Sequence, residues 1–147
     1  MTYQYDAAHH MTSKTNNLGQ TLLYSYDQYG RLTSKQYPAD PRQNATYYYD
    51  TNPLDSSGYS QNIWGRLAAV SFASEINGQS LAYMYSYSQA GRVAGKRLQV
   101  GPAQSGQTPA NIDTYYVWDN QGRMIDILLS AGWPAGRPHG GYVCLFL

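Results

Sequence analysis

The chain has 147 residues, a net charge of +1 and 13% charged residues, against a usual charged share of about 25%. So weak a field argues against nucleic acid or an anionic membrane surface as the partner, and the single cysteine, Cys144, excludes an internal disulfide framework. Tyrosine numbers 16 against 2 Phe, so the packing aromatic carries a hydroxyl that needs a partner wherever it is buried.

In chain order, a tyrosine-rich phrase returns again and again. It opens the chain as Tyr3-Gln4-Tyr5-Asp6-Ala7-Ala8-His9-His10-Met11, with two histidines in place of a Gly-Arg pair. A turn at Asn16-Asn17-Leu18-Gly19 joins the predicted strands Met11–Thr15 and Gln20–Tyr26. The cleanest copy follows, Tyr24-Ser25-Tyr26-Asp27-Gln28-Tyr29-Gly30-Arg31-Leu32. Asp40-Pro41-Arg42-Gln43 reads as a further turn. The next copy is split: Tyr47-Tyr48-Tyr49-Asp50 begins it and Gly65-Arg66-Leu67 ends it, with an insertion of 12 polar, Gly/Pro/Ser-rich residues at 51–62.

Asn77-Gly78 is a strong two-residue hairpin signal. It folds Ala69–Ile76 onto Gln79–Tyr87, setting Val70 opposite Tyr85, Phe72 opposite Tyr83, Ser74 opposite Leu81, Ser71 opposite Met84 and Ala73 opposite Ala82. The later copies are Tyr85-Ser86-Tyr87-Ser88-Gln89-Ala90-Gly91-Arg92-Val93 and Tyr116-Val117-Trp118-Asp119-Asn120-Gln121-Gly122-Arg123-Met124. First tyrosines at 3, 24, 47, 85 and 116 give an elastic unit of a little over twenty residues.

Each copy predicts a β-hairpin. Alternating aromatic and polar residues fit a strand with one packed face. Asp-x-x-Gly fits a type I turn whose glycine adopts the left-handed conformation of the following bulge. A three-residue loop then faces Asp27 with Arg31, Tyr26 with Leu32 and Tyr24 with Ser34; it also faces Asp119 with Arg123, Trp118 with Met124 and Tyr87 with Val93. Such cross-strand pairs contribute roughly 0.2–1 kcal/mol each. The expected fold is all-β: an antiparallel meander of about five repeated hairpins over residues 1–130, with no convincing helical periodicity.

Residues 131–147 form a different tail, Gly/Pro-rich at Gly132–Gly141 and apolar at Tyr142–Leu147. A real terminal strand and a non-native ending from a broken reading frame both fit it. Residues 1–10 lack the basic start and apolar run of a signal peptide, and no apolar run is long enough to span a bilayer. The chain begins inside a repeat, and the reading is that it is a fragment of a longer protein, itself secreted or at a cell surface. Two unpaired sheet edges predict association or poor solubility for such a piece alone.

Candidate chemical sites resolve into structural readings. His9 and His10 are adjacent, so on a strand they point to opposite faces, and they read as a degenerate Gly-Arg and not as metal ligands. Gly91-Arg92-Val93-Ala94-Gly95-Lys96-Arg97 has the wrong spacing and lacks the Ser or Thr of a phosphate loop. Asn44-Ala45-Thr46 is a glycosylation sequon that matters only in a eukaryotic secretory pathway. The loops at 51–62 and 100–111 read first as tolerated insertions and second as recognition loops. No nucleophile, base or metal set is assembled, so the chain reads as no enzyme, with no cofactor.

The recurring Tyr-x-Tyr-Asp-x-x-Gly-Arg-Leu phrase resembles the signature of the RHS/YD-repeat family, over roughly residues 3–130. That family includes bacterial rearrangement-hotspot proteins, the shell subunits of insecticidal toxin complexes and the YD shell of animal teneurins. The resemblance implies a strip of a larger β-sheet that spirals into a hollow shell around a polypeptide cargo such as a toxin. Its partners would be the remaining repeats and that cargo. The structural repeat positions it marks are Tyr24, Tyr26, Asp27, Gly30, Arg31, Tyr49, Asp50, Gly65, Arg66, Tyr85, Tyr87, Gly91, Arg92, Tyr116, Trp118, Asp119, Gly122 and Arg123. Self-cleaving members carry Asp-Pro-x-Gly near the end of the shell; Asp40-Pro41-Arg42-Gln43 lacks that glycine and lies between repeats. The alternative is a cell-surface carbohydrate-binding or adhesion module, with Tyr83, Tyr85 and Trp118 stacking on glycans.

Overall fold

A computed structural model describes residues 1–73, 79–101, 108–131 and 143–145. It is one antiparallel sheet whose strands follow chain order. They are β1 (Thr2–Tyr5), β2 (Met11–Thr15), β3 (Thr21–Tyr26), β4 (Leu32–Gln36), β5 (Ala45–Tyr49), β6 (Leu67–Ala73), β7 (Ser80–Tyr87), β8 (Val93–Val100), β9 (Ala110–Trp118), β10 (Met124–Ala131) and β11 (Val143–Leu145). The sheet is therefore the expected meander, and no α-helix occurs among the described residues. Asp40 caps a 3₁₀ turn at Pro41–Gln43, its side chain accepting from the Arg42 N–H. Proline fits that first turn because its missing N–H would have had no partner there.

The hairpin tips follow from local chemistry. In copy two the Asp27 N–H donates to the Arg31 carbonyl and the Gly30 N–H to the Asp27 carbonyl, with Gly30 at φ 75. The Asn16–Gln20 turn uses the same pattern with Asn in place of Asp: Asn16 Oδ1 accepts from the N–H groups of Leu18 and Gln20.

Beyond each phrase tip the register jumps by one residue. Tyr26 faces Leu32, Tyr87 faces Val93 and Trp118 faces Met124, as read from the sequence. Tyr24, however, faces Lys35 and not Ser34, which faces Ser25. The cause is a β-bulge that recurs in every phrase hairpin and leaves Thr12, Thr33, Ala68, Ala94 and Ile125 without a cross-strand partner. A bulge of this kind sharpens the right-handed twist of the strand that carries it, so the repeat adds twist to the sheet at a fixed place.

The β6–β7 pairing departs from the turn-based expectation. Val70 faces Tyr83, Phe72 faces Leu81, Ser71 faces Ala82, Ala73 faces Ser80 and Ala69 faces Met84. This is a slip of two residues, which leaves every side chain on its expected face because the pleat repeats every two. Alternation alone cannot detect it. The pairing expected for Ser74 and the Asn77-Gly78 turn itself lie outside the described residues.

Burial is concentrated in one place. Among the described residues the buried apolar side chains are Ala68, Ala69, Ala82 and Met84, all on β6 and β7. The insertion together with the end of copy three, residues 51–66, folds over the sheet face that carries Met84, Ser86, Gly95 and Arg97. The Gln61 N–H donates to Ser86 Oγ and the Tyr87 N–H donates back to the Gln61 carbonyl. Asn62 Nδ2 donates to the Tyr87 carbonyl. This flap gives the sheet a second layer over β7–β9.

Candidate functional site: a clamp between repeats

Each tip that carries an Asp is held by it. Asp27 Oδ1 accepts from the N–H groups of Tyr29 and Arg31, both at 2.9 Å, while Oδ2 takes Arg31 Nε at 2.7 Å. Asp119 does the same with Gln121, Arg123 and Arg123 Nε. Asp6 holds the N–H groups of Ala8 and His10, and His10 Nδ1 lies 3.1 Å from its Oδ2. His9, at φ 64, sits in the glycine slot, and His10 in the arginine slot. Copy four replaces the Asp with Ser88, whose Oγ accepts from the Arg92 N–H at 3.2 Å.

The side chain that ends one phrase then reaches the next. His10 stacks on Tyr26 with ring centroids 4.8 Å apart. The guanidinium of Arg31 lies 4.5 Å from the Tyr49 ring centre, that of Arg66 5.5 Å from Tyr87 and that of Arg92 5.9 Å from Trp118. A cation over an aromatic face is attracted to the ring's negative face. The same aromatic hands its polar hydrogen back. Tyr26 Oη donates to the Met11 carbonyl, Tyr87 Oη to Leu67 and Trp118 Nε1 to Val93, at 2.9, 2.8 and 2.8 Å. In each case the acceptor is the residue just after the arginine or histidine that covers the ring.

The glycine of the next phrase completes the fit. A Cβ placed on Gly30 would come within 2.7 Å of His10 Nε2, and one on Gly91 within 2.7 Å of Arg66 Nη2. A Cβ on Gly122 would collide with Arg92 Nη2. These glycines thus answer two demands: a left-handed backbone, with φ of 75, 82 and 85, and clearance for the side chain that ends the preceding phrase. Gly65 faces open space. There the insertion has displaced the tip, and Arg31 Nη2 instead bonds Asp50 Oδ2 at 2.7 Å.

The clamp is also the register. Ser13 pairs with Leu23, Ser34 with Thr46, Ala69 with Met84 and Gly95 with Tyr115. Three residues further along both strands, those same registers bring His10 to Tyr26, Arg31 to Tyr49, Arg66 to Tyr87 and Arg92 to Trp118. The β6–β7 slip follows: its register is the one that faces Arg66 with Tyr87. The first tyrosines sit one pleat back on the aromatic face, with Tyr24 facing Lys35, Tyr85 facing Lys96 and Tyr116 facing Ile127.

Charge at the tips is shifted accordingly. The Arg31 guanidinium and then the Gly65 N–H hold the Asp50 carboxyl below the usual range. The Arg123 N–H and then its guanidinium do so for Asp119. Beneath the flap, Arg97 forms a two-point ion pair with Asp113 at 2.7 and 2.8 Å and lies 4.1 Å from the Tyr59 ring centre. The Tyr59 hydroxyl is buried with no hydrogen-bond partner, and burial pushes its pKa up. Among the described residues no three metal-ligating side chains converge, and no helix is long and apolar enough to cross a membrane.

Sequence reasoning missed two features, the cross-repeat pairing and Tyr59 with its flap. The first had a signal: the Gly-Arg pairs at 30–31, 65–66 and 91–92 are each followed, after a variable gap, by an aromatic-Asp or aromatic-Ser pair. The second had none, because an irregular segment carries no periodicity.

Fold and clamp together define a β-hairpin repeat protein in which each unit is keyed to its successor. The family model for the RHS repeat matches residues 5–42, which span the first clamp and the whole of the second phrase. Residues 5–42 are thus similar to an RHS repeat, and the same phrase recurs along the rest of the sheet. No curated protein matches the chain.

Proposed function

We propose that this chain is a non-catalytic structural segment of an RHS/YD-repeat shell that encloses a polypeptide cargo such as a toxin. The observation that carries the reading is the clamp. Its rings, cations and glycines are spent on joining one repeat to the next, which is what a continuous wall requires. The phrase residues from Tyr24 to Arg123 act as tip and clamp, the 1–130 repeats as wall, and the 131–147 tail as a separate segment. The partners are the remaining repeats of the parent and its cargo, in a secreted or cell-surface setting.

The test is electron microscopy of the parent protein carrying this segment, with protease challenge of the enclosed polypeptide. A closed β-shell with protected internal density is expected. An open strip with a freely digested cargo would overturn the reading. The alternative, glycan binding through Tyr83, Tyr85 and Trp118, is weakened by geometry: Lys96 Nζ lies 3.8 Å from the Tyr83 ring centre, and Arg92 covers Trp118.

A further inference from the structure

We infer that the Arg123 end of the sheet is an acceptor surface for one more hairpin of defined chemistry, an aromatic-Asp-x-x-Gly tip. We further infer that hairpin one cannot supply that tip. The inference rests on the repeat reading above but not on the shell.

Arg123 ends its phrase as Arg31, Arg66 and Arg92 end theirs. Those three each lie over the aromatic of the next copy. Arg123 bonds Asp119 through Nε at 2.8 Å, yet its side chain is 72% exposed, against 25% for Arg31. No aromatic covers it among the described residues. Met124, which follows it, is 38% exposed. By the pattern of Met11, Leu67 and Val93, the Met124 carbonyl is where an incoming Tyr or Trp would donate its hydrogen. The neighbouring strand already points the right way: β11 runs antiparallel to β10 with Ile127 facing Leu145. Counted along that register, the partner of Arg123 would be four positions past Leu145.

The occupant needs glycine in its tip, for the His or Arg side chain of the preceding repeat fills the space a Cβ would take at Gly30, Gly91 and Gly122. Hairpin one has His9 in that slot, at φ 64. Its Tyr5 is 60% exposed, but the His9 side chain stands where an arriving arginine would lie. A second copy of the chain, offering hairpin one, is thereby excluded. The sheet is polar, keyed to grow at Arg123 and blocked at His9.

The experiment extends the full chain directly after Leu147 with a copy of Ser86–Val100, which sets the copied Tyr87 opposite Arg123. The expected result is a thermal midpoint raised by about 3 °C or more and amide exchange at Arg123 and Met124 slowed about tenfold. Both gains should vanish with R123A, with one extra residue inserted after Leu147, or with His in place of the copied Gly91. Gains that persist in all three controls would overturn the inference, as would an extension without any gain in a chain that remains folded by circular dichroism. Self-association of the unextended chain that R123A abolishes would overturn the exclusion of hairpin one. A closed or open parent shell leaves each of these outcomes unchanged.

Discussion

Hairpin one and the β6–β8 region share a tip chemistry and differ in almost everything else. β1 is exposed at every residue, whereas β6 and β7 hold Ala68, Ala69, Ala82 and Met84 out of water. The phrase is therefore not what buries the core. It closes a tip and keys the hairpin to its neighbour. Burial comes from strands on both sides and from the flap at 51–66, which brings Tyr59 onto Gly95 and Arg97. An insertion that composition alone reads as a tolerated loop supplies the second layer of an otherwise open sheet.

The largest break in that contrast is Met84→Ala. Met84 is 1% exposed, and emptying a buried methionine site costs about 2–4 kcal/mol. The urea midpoint should fall accordingly, while Leu18→Ala, at an 83% exposed turn position, should leave it almost unmoved. Tyr87→Phe deletes the hydrogen bond to the Leu67 carbonyl and strands a half-buried acceptor, for a loss of about 1 kcal/mol by the same assay. Tyr59→Phe should run the other way. Its hydroxyl is buried without a partner, so removing it should stabilise the chain, by up to about 1 kcal/mol.

Arg92→Ala and Arg123→Ala sharpen the comparison between a closed and an open clamp. The first uncovers Trp118 and should cost about 0.5–1 kcal/mol. The second, in the unextended chain, should change the midpoint by less than the scatter between replicate melts.

Acid is the mildest probe. The Asp50 and Asp119 carboxyls lie below their ordinary values in the folded chain. Their contribution is then full above the unfolded value of about 3.9 and is lost as pH falls through the lowered folded value. A urea midpoint followed from pH 6 to pH 2 should decline over the acid end, and D119N should flatten part of that decline. An unchanged slope in D119N would show that the tip carboxylate carries no linkage.

The tips were legible because everything they need lies within five residues. Asp27 caps the N–H groups of Tyr29 and Arg31, and Gly30 turns the chain; no distant residue is consulted. The meander was legible for the same reason, since each phrase names a hairpin and short links join neighbours antiparallel. The bulge was expected as a glycine feature of the turn. Its consequence one pleat away, Tyr24 facing Lys35, was not, because an extra residue shifts every later pairing while leaving the sequence pattern intact.

What the amino-acid sequence determined by itself was local: strand faces, tip turns and repeat boundaries. What the tertiary structure alone decided was long-range: the β6–β7 register, the clamp geometry and the placement of the flap. Asn77-Gly78 favours one register by turn chemistry, but Arg66 seated over Tyr87 selects another two residues away. Alternation cannot choose between them, since both keep each side chain on its own face. Contacts between residues 21 apart in the chain, as Arg66 and Tyr87 are, become visible only once the strands are laid side by side.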